Sequence, residues 1–388
     1  MNKERINKIL SYVLVAVVSV CLTLSVMTWF MTPQQGTVQS KLDALEALII
    51  ERFIGEKDQT AIGDAAANAM VESLGDRWSY YISAESYESY LQQVKNAYVG
   101  IGITVQLRDD GKGLDILEVT EGGPSEEAGL LAGDMIVAVD ATRIEGMALD
   151  DIKKMIQGKA ETTVKLTIVR GEQELQKIVT RRQIKTPVAK AQMLDGKIGL
   201  ITIVNFNTNC ANETLAALDQ MLEQGAEKII FDVRNNPGGY ASEMVAVLDR
   251  LLPEGKLFTT VDYAGREETD MSDANCLDLP MAVLVNADSY SAAEFFAVAL
   301  TEYDAAVVVG EKTCGKGYFQ NTFRLPDGSA VALSVGKYYT PNGNSLAGVG
   351  ITPQHLVPVT EEIANQIYAG LLDPMEDPQV LAAIDALK

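Results

Sequence analysis

Apolar side chains recur along this chain in three rhythms, and each predicts a different kind of element. From Ile9 to Met31 (ILSYVLVAVVSVCLTLSVMTWFM) no charge interrupts the apolar run, and Lys3, Arg5 and Lys8 stand just before it. A helix of that length crosses a hydrocarbon core of roughly 30 Å. No small-residue cleavage site follows at Thr32-Pro33-Gln34-Gln35, so the expectation is a transmembrane signal anchor that is retained, not a cleaved signal peptide. The basic flank predicts a cytoplasmic tail over residues 1–8, an anchor over 9–31 with Trp29 at the far interface, and everything beyond it on the extracytoplasmic side of the cell membrane.

Between residues 38 and 96 the rhythm is helical, with Leu42, Leu45, Leu48 and Ile49 at three- and four-residue spacing and an Ala-rich stretch from Ala61 to Leu74. This predicts an N-terminal helical module. The aromatics Trp78, Tyr80, Tyr81, Tyr87 and Tyr90 are read as packing against neighbouring elements, the usual role of such rings. From Tyr98 the pattern turns to short strands: Tyr98 to Val105, Gly113 to Val119, Met135 to Val139 and Thr163 to Arg170, with helical stretches at Ser125 to Leu130 and Leu149 to Gln157. From Lys197 apolar runs alternate with amphipathic stretches, which predicts an α/β core. Its elements are a strand over Ile198 to Val204, a helix over Asn212 to Gln224, a strand over Lys228 to Val233 and a helix running to Leu252. A strand over Met281 to Asn286, a helix over Ala292 to Leu300 and a strand over Ala305 to Val309 follow.

Composition narrows the function. A net charge of −21 argues against non-specific nucleic-acid binding, which requires a positive surface to displace counterions from phosphate. One histidine and four cysteines without regular spacing make a nitrogen and sulfur metal site improbable and predict cofactor-free chemistry. Cys21 falls within the predicted anchor, leaving Cys210, Cys276 and Cys314 beyond it, an odd number from which no disulfide framework follows.

The histidine count bears on catalysis as well. A serine nucleophile usually takes its base from histidine, and Ser-Lys variants are the known alternative. Ser291 opens the helix after one strand, and Lys316 lies in the glycine-rich loop after the next, Gly310-Glu311-Lys312-Thr313-Cys314-Gly315-Lys316-Gly317. If the two strands are parallel neighbours, both residues lie at strand C-termini, where open α/β sheets place their sites. The plain alternatives are a helix N-cap for Ser291 and a solvated loop lysine for Lys316. For the pair to react, burial must lower the lysine from about 10.4 to nearer 7 or 8. Gly238 and Gly239, in the turn Arg234-Asn235-Asn236-Pro237-Gly238-Gly239-Tyr240, put backbone N–H groups at a helix start, a cradle for an oxyanion or simply a tight turn.

Two resemblances sharpen this reading. Residues 98–182 resemble a PDZ domain, carried by Tyr98-Val99-Gly100-Ile101-Gly102-Ile103 and by Gly123-Pro124-Ser125-Glu126-Glu127-Ala128-Gly129-Leu130-Leu131-Ala132-Gly133-Asp134. The resemblance implies that the loop Gly100, Ile101, Gly102 and Ile103 grips the C-terminal carboxylate of a protein tail. Residues 60–388 resemble the carboxyl-terminal processing, or tail-specific, serine protease family. The matching segments are Phe231-Asp232-Val233-Arg234-Asn235-Asn236-Pro237-Gly238-Gly239, Ser289-Tyr290-Ser291-Ala292-Ala293-Glu294 and Gly310 to Gln320. Leu325-Pro326-Asp327-Gly328-Ser329, Tyr338 to Gly343, Gly350-Ile351-Thr352-Pro353 and Asp377-Pro378-Gln379-Val380 follow in order.

The resemblance implies an α+β multidomain chain: a crotonase/Clp-like α/β protease core over 183–360, an N-terminal helical module over 38–96, an inserted PDZ domain over 98–182 and a C-terminal helical segment over 361–388. It implies Ser291 as nucleophile, Lys316 as general base, Gln320 orienting the lysine, and Gly238 or Gly239 with Ala292 as oxyanion donors. It makes Arg170 a candidate sensor of tail occupancy, beside the plain reading of a strand-end arginine. The family often carries a small residue where Tyr290 stands, Phe where Cys314 stands, and aspartate where His355 stands; His355 is read as structural. The expected partners are protein substrates with apolar C-terminal tails, the membrane and, through terminal helices, a second copy of the chain. The rival is a non-catalytic PDZ scaffold. A PDZ-bearing Ser-His-Asp protease needs a Gly-x-Ser-Gly-Gly segment that this sequence lacks, and a coenzyme-A hydratase rests on fold likeness alone.

Overall fold

Alternation of side chains along three short strands decides the architecture of the catalytic region. In the computed structural model, which describes residues 3–31 and 37–388 and their side chains over 11–25 and 37–388, these strands are Lys228–Asp232, Met281–Val285 and Ala306–Gly310. Side chains of a strand point alternately to opposite faces. Ile229, Phe231, Val283, Val285 and Val308 therefore join one buried cluster, while Ile230, Ala282, Leu284 and Val309 join another. Being apolar on both faces, the strands must be covered twice. Helices Cys210–Glu223, Ala241–Leu251 and Ala292–Glu302 cover the first face through Leu218, Met221, Val247, Leu248 and Phe296, and helix Pro378–Ala386 covers the second through Val380 and Ala383. Each buried Phe or Leu contributes about 1.5–3 kcal/mol.

The sheet runs Ala189–Leu194, Ile198–Ile203, Lys228–Asp232, Met281–Val285, Ala306–Gly310, His355–Leu356, with only the first pair antiparallel. The expected parallel neighbours Met281–Val285 and Ala306–Gly310 are side by side, in register from Met281 with Ala306 to Val285 with Gly310. All their following loops thus leave one edge. A second sheet is built on Ala330–Tyr339, which pairs with Tyr318–Arg324 on one side and with Tyr80–Ile82 and Gly255–Asp262 on the other.

Residues 103–180 form a third sheet around their own core of Leu114, Ile116, Ile136, Leu166 and Ile168. The segment Tyr98 to Val105 is not one strand. It breaks at Gly102, whose φ is +73°, into Ala97–Gly100 and Ile103–Leu107. Strand Gln173–Thr180, absent from the sequence reading, pairs along the whole of Thr163–Arg170. Ala97–Gly100 and Arg182–Lys185 form a two-stranded stalk, closed at its base where Thr186 N–H donates to Asn96 O at 2.8 Å.

The chain divides into two units, Met1–Met70 and Val71–Lys388. The first contains helices Lys3–Met31 and Val38–Arg52, the latter capped by the Thr37 hydroxyl, which accepts from Ser40 N–H at 3.2 Å. Of the expected helical module, Tyr80–Ile82 is a strand of the second unit. Among the described residues no helix is long and apolar enough to cross a membrane. The side chains of 9–10 and 26–31, part of the expected anchor, lie outside the described residues, as does the segment 32–36.

Candidate active site

Ser291 stands between strand Met281–Val285 and helix Ala292–Glu302, buried at 7% exposure, with φ 59° and ψ −126°. A non-glycine residue there costs about 1–3 kcal/mol and persists only where its surroundings hold it. The loop before it is pinned: Ser289 Oγ donates to Val233 O at 2.7 Å, and Asn235 and Asn286 exchange hydrogen bonds of 2.9 and 2.8 Å. The Ser291 N–H itself donates to Glu294 Oε2 at 3.1 Å.

Glu294 reaches further. Fully buried, its Oε2 also accepts from Lys316 N–H at 2.8 Å, and its Oε1 accepts from Gly315 N–H at 2.8 Å and Thr313 Oγ at 2.5 Å. One carboxylate therefore joins the backbone of the Ser291 loop to that of the Lys316 loop. Burial raises its proton affinity, against four donors that lower it. In the sequence Glu294 has no evident task beyond the Ser-x-x-Glu spacing of a capping box at the start of a helix, which is the signal that points to it.

Gly238 lies against the nucleophile loop. With φ +85°, its missing Cβ would meet Ser291 Cβ and Tyr290 O at 2.8 Å, so no other residue allows that approach. Its N–H, however, already donates to Asn236 Oδ1 at 2.8 Å. The N–H groups of Gly239 and Ala292 have no hydrogen-bond partner among the described residues, which leaves these two of the three expected donors available.

Lys316 extends into a cavity of about 740 Å³ that Ser291, Gln320, Gly238, Gly239 and Tyr240 also line. Burial is the chief cause that lowers its amine to about 8, against the opposing pull of Asp76, Cys314 and Glu294. Its Nζ lies 4.8 Å from the centre of the Trp78 ring and 5.7 Å from that of Tyr290. No hydrogen bond joins it to Ser291 or Gln320 among the described residues. The Gln320 amide is engaged elsewhere, donating to Ser334 Oγ at 3.0 Å and Tyr318 O at 3.2 Å. The structure thus brings Ser291, Lys316 and Gln320 to one cavity, but leaves the lysine amine over aromatic rings.

Trp78 packs on Tyr290 and Tyr87 on Tyr90, and Trp78, Tyr80, Tyr87 and Tyr90, expected as packing residues, also line the cavity with Tyr290. The remaining expected residues lie apart. Gly100 pairs with Arg182 in the stalk, and Ile101 is buried in the core of the third sheet with its carbonyl taken by Ser125 N–H at 3.0 Å. Gly102 O accepts from Thr120 N–H at 3.0 Å, and Ile103 pairs with Val119. Arg170 forms a bidentate pair with Asp134 at 2.6 and 2.7 Å. His355 is exposed on an edge strand. The cysteines are free, and Arg77 Nη2 donates to Cys314 Sγ at 2.8 Å. No cluster able to hold a metal ion occurs among the described residues.

Strand Lys228–Asp232 is followed by Arg234, whose buried guanidinium binds Asp232 at 2.6 Å and, from the C-terminal segment, Asp377 Oδ2 at 2.7 Å and Gln379 Oε1 at 2.9 Å. The glycine turn is thereby tied to the helix on the far face of the sheet.

The sequence profile of Peptidase family S41 matches residues 197–357, and that of the PDZ domain matches residues 116–170. A probable CtpA-like serine protease of Staphylococcus aureus is 33% identical over 324 residues, 82% of this chain and 65% of that protein. A carboxyl-terminal-processing protease of Synechocystis is 32% identical over 345 residues, 87% of this chain and 79% of that protein. The chain thus spans just under two thirds of the Staphylococcus relative it matches. Among solved structures, a photosystem II D1 C-terminal processing protease is 27% identical with a TM-score of 0.47, covering 83% of this chain and 87% of that one.

Proposed function

This chain belongs to peptidase family S41, and from that premise we propose that it is a serine endopeptidase whose Ser291 and Lys316 cut protein substrates delivered by their C-terminal tails. The observation that carries the reading is the single buried carboxylate, Glu294, that holds the backbone of both residues at 2.8–3.1 Å.

The neutral Lys316 amine swings from the Trp78 ring to take the Ser291 proton as Oγ attacks the peptide carbonyl. The developing oxyanion is met by the N–H groups of Ala292 and Gly239, donors that have no other partner. The ammonium then protonates the leaving amine, and the restored amine activates water to release the acyl group. Burial that lowers Lys316 to about 8 leaves roughly a tenth of it neutral at pH 7. In this reading Gln320 orients the amine only after its amide exchanges Ser334 for the lysine.

The PDZ domain grips the tail's carboxylate at its Gly100 to Ile103 loop and takes the apolar tail as an added strand on the edge of Ile103–Leu107, and residues 9–31 anchor the enzyme to the membrane with the protease outside. A tie between a tail-reading domain and a hydrolytic site confines cutting to chains that present a free end.

The test uses the full chain in detergent, with Ser291→Ala and Lys316→Ala variants and a loosely folded protein ending in an apolar tail, followed by intact mass. Cuts made by the wild type and lost in both variants support the protease; dependence on a free tail supports delivery by the PDZ domain. Binding of tails with no cut by the wild type would instead favour a scaffold.

A further inference from the structure

We propose that Trp78 and Tyr290 are positioning residues of the Ser291–Lys316 site, two rings that wall the lysine amine from water and set both its resting place and its readiness to take a proton. The inference rests on the reading of Lys316 as the base.

None of the charged or titratable groups facing the amine pairs with it among the described residues. Asp76 and Arg77 approach from the segment before strand Tyr80–Ile82, Glu294 from its helix, Cys314 from the amine's own loop and Tyr290 from the nucleophile loop. The two carboxylates are engaged, Glu294 by four donors and Asp76 by Ser79 Oγ at 2.6 Å and Trp78 N–H at 3.1 Å. Arg77 repels the ammonium and lies over the same indole, 4.1 Å from its centre. Lys316 takes part in no ion pair among the described residues. Its Nζ rests instead over the two rings, themselves 5.6 Å apart between centroids and tilted by 37°.

A ring face attracts a cation, but it replaces water, which solvates an ammonium better. The balance of a wall and a weak attraction gives a lysine that sheds its proton near neutrality without being driven from the site. The rings come from two different segments, so the wall closes only when strand Tyr80–Ile82 is seated beside Ala330–Ala332.

Removing a wall should raise the Lys316 titration, and keeping a wall without a π face should not. The full chain with isotope-labelled lysine is titrated by NMR, the Lys316 signal being assigned by its loss in Lys316→Arg, and peptide cleavage is followed as a function of pH. Tyr290→Ala is expected to move the titration up by about one unit toward lysine's usual value near 10.4. The rate at pH 7 then falls about tenfold and recovers above pH 9. Tyr290→Phe and Tyr290→Leu are expected to titrate at or below the wild-type value, and Trp78→Val, which opens part of the other wall and is expected to titrate above it, serves if Tyr290→Ala fails to fold. An unmoved lysine signal in folded Tyr290→Ala overturns the proposal, as does an upward shift in Tyr290→Leu equal to that of the alanine. The NMR titration needs no turnover, so a chain in which the rings govern the Lys316 titration yet nothing is cut would refute the protease reading, and with it the catalytic role of the rings, while the hold of the rings on the amine remained.

Discussion

Replacing Glu294 by glutamine exchanges one oxygen for an NH2 group in a site that offers only donors. The amide oxygen can keep the Thr313 hydroxyl and the Gly315 N–H, both now on Oε1, while the amide nitrogen faces the N–H groups of Ser291 and Lys316 that Oε2 accepts. Two buried donors lose their acceptor, each at about 1–3 kcal/mol. With some relaxation we expect about 3 kcal/mol, or a drop of roughly 4–5 °C in the melting of the larger unit, whose unfolding entropy is that of more than 300 residues. Activity should suffer more than stability. Ser291 is held at φ 59° by this bond, and a released backbone carries Oγ away from the scissile carbonyl. Misplacement on the order of 1 Å costs about 10²-fold, so kcat falls by about that factor while KM changes little. Calorimetry and steady-state kinetics on wild type and Glu294→Gln read both effects. A variant that melts with the wild type and retains its kcat would refute the argument that this carboxylate assembles the site.

Further outcomes follow from the same geometry. Activity should rise with pH through about 8 as Lys316 loses its proton, falling tenfold per unit below it, in a pH profile of kcat/KM. Because the folded state lowers this amine, wild type should gain stability relative to Lys316→Met as pH climbs from about 8 to the unfolded value near 10.4, which denaturation at several pH values reads. Gly239→Ala, with φ 150° and a Cβ placed 2.3 Å from the Phe206 carbonyl carbon, should lose cleavage while its PDZ domain retains tail binding by calorimetry. Asp377→Ala strips a partner from the buried Arg234 and should cost about 3–5 kcal/mol in denaturant unfolding.

What the sequence revealed follows the reach of local chemistry. Apolar runs announced the parallel strands Met281–Val285 and Ala306–Gly310, and Ser291 and Lys316 stand out because each lies in the loop beyond such a run. Strand Gln173–Thr180 escaped because only Val179 among its residues is buried, so its alternation carries little apolar signal. The part played by Glu294 was hidden for a different reason. Its donors at 291, 313, 315 and 316 belong to two loops that meet only when the sheet closes. Trp78 was assigned to packing since nothing in its neighbourhood of sequence says that Lys316 will come to rest on its face. The availability of the Gly239 N–H rather than that of Gly238 depends on the reach of one side chain, Asn236.

The stalk at residues 96 and 186 bears on how such a chain is assembled and rearranged. Where a long excursion leaves and rejoins a fold through hydrogen-bonded neighbours, here Asn96 and Thr186 at 2.8 Å, the rest of the fold is indifferent to its length. The cluster Leu114, Ile136 and Leu166 shares no residue with the clusters of the α/β sheet. Residues 97–185 are therefore a cassette: a short turn in their place closes the same gap at little entropic cost. Under the proposed function, exchange of the cassette for another binding domain would alter which chains reach Ser291 while the α/β sheet keeps its own core.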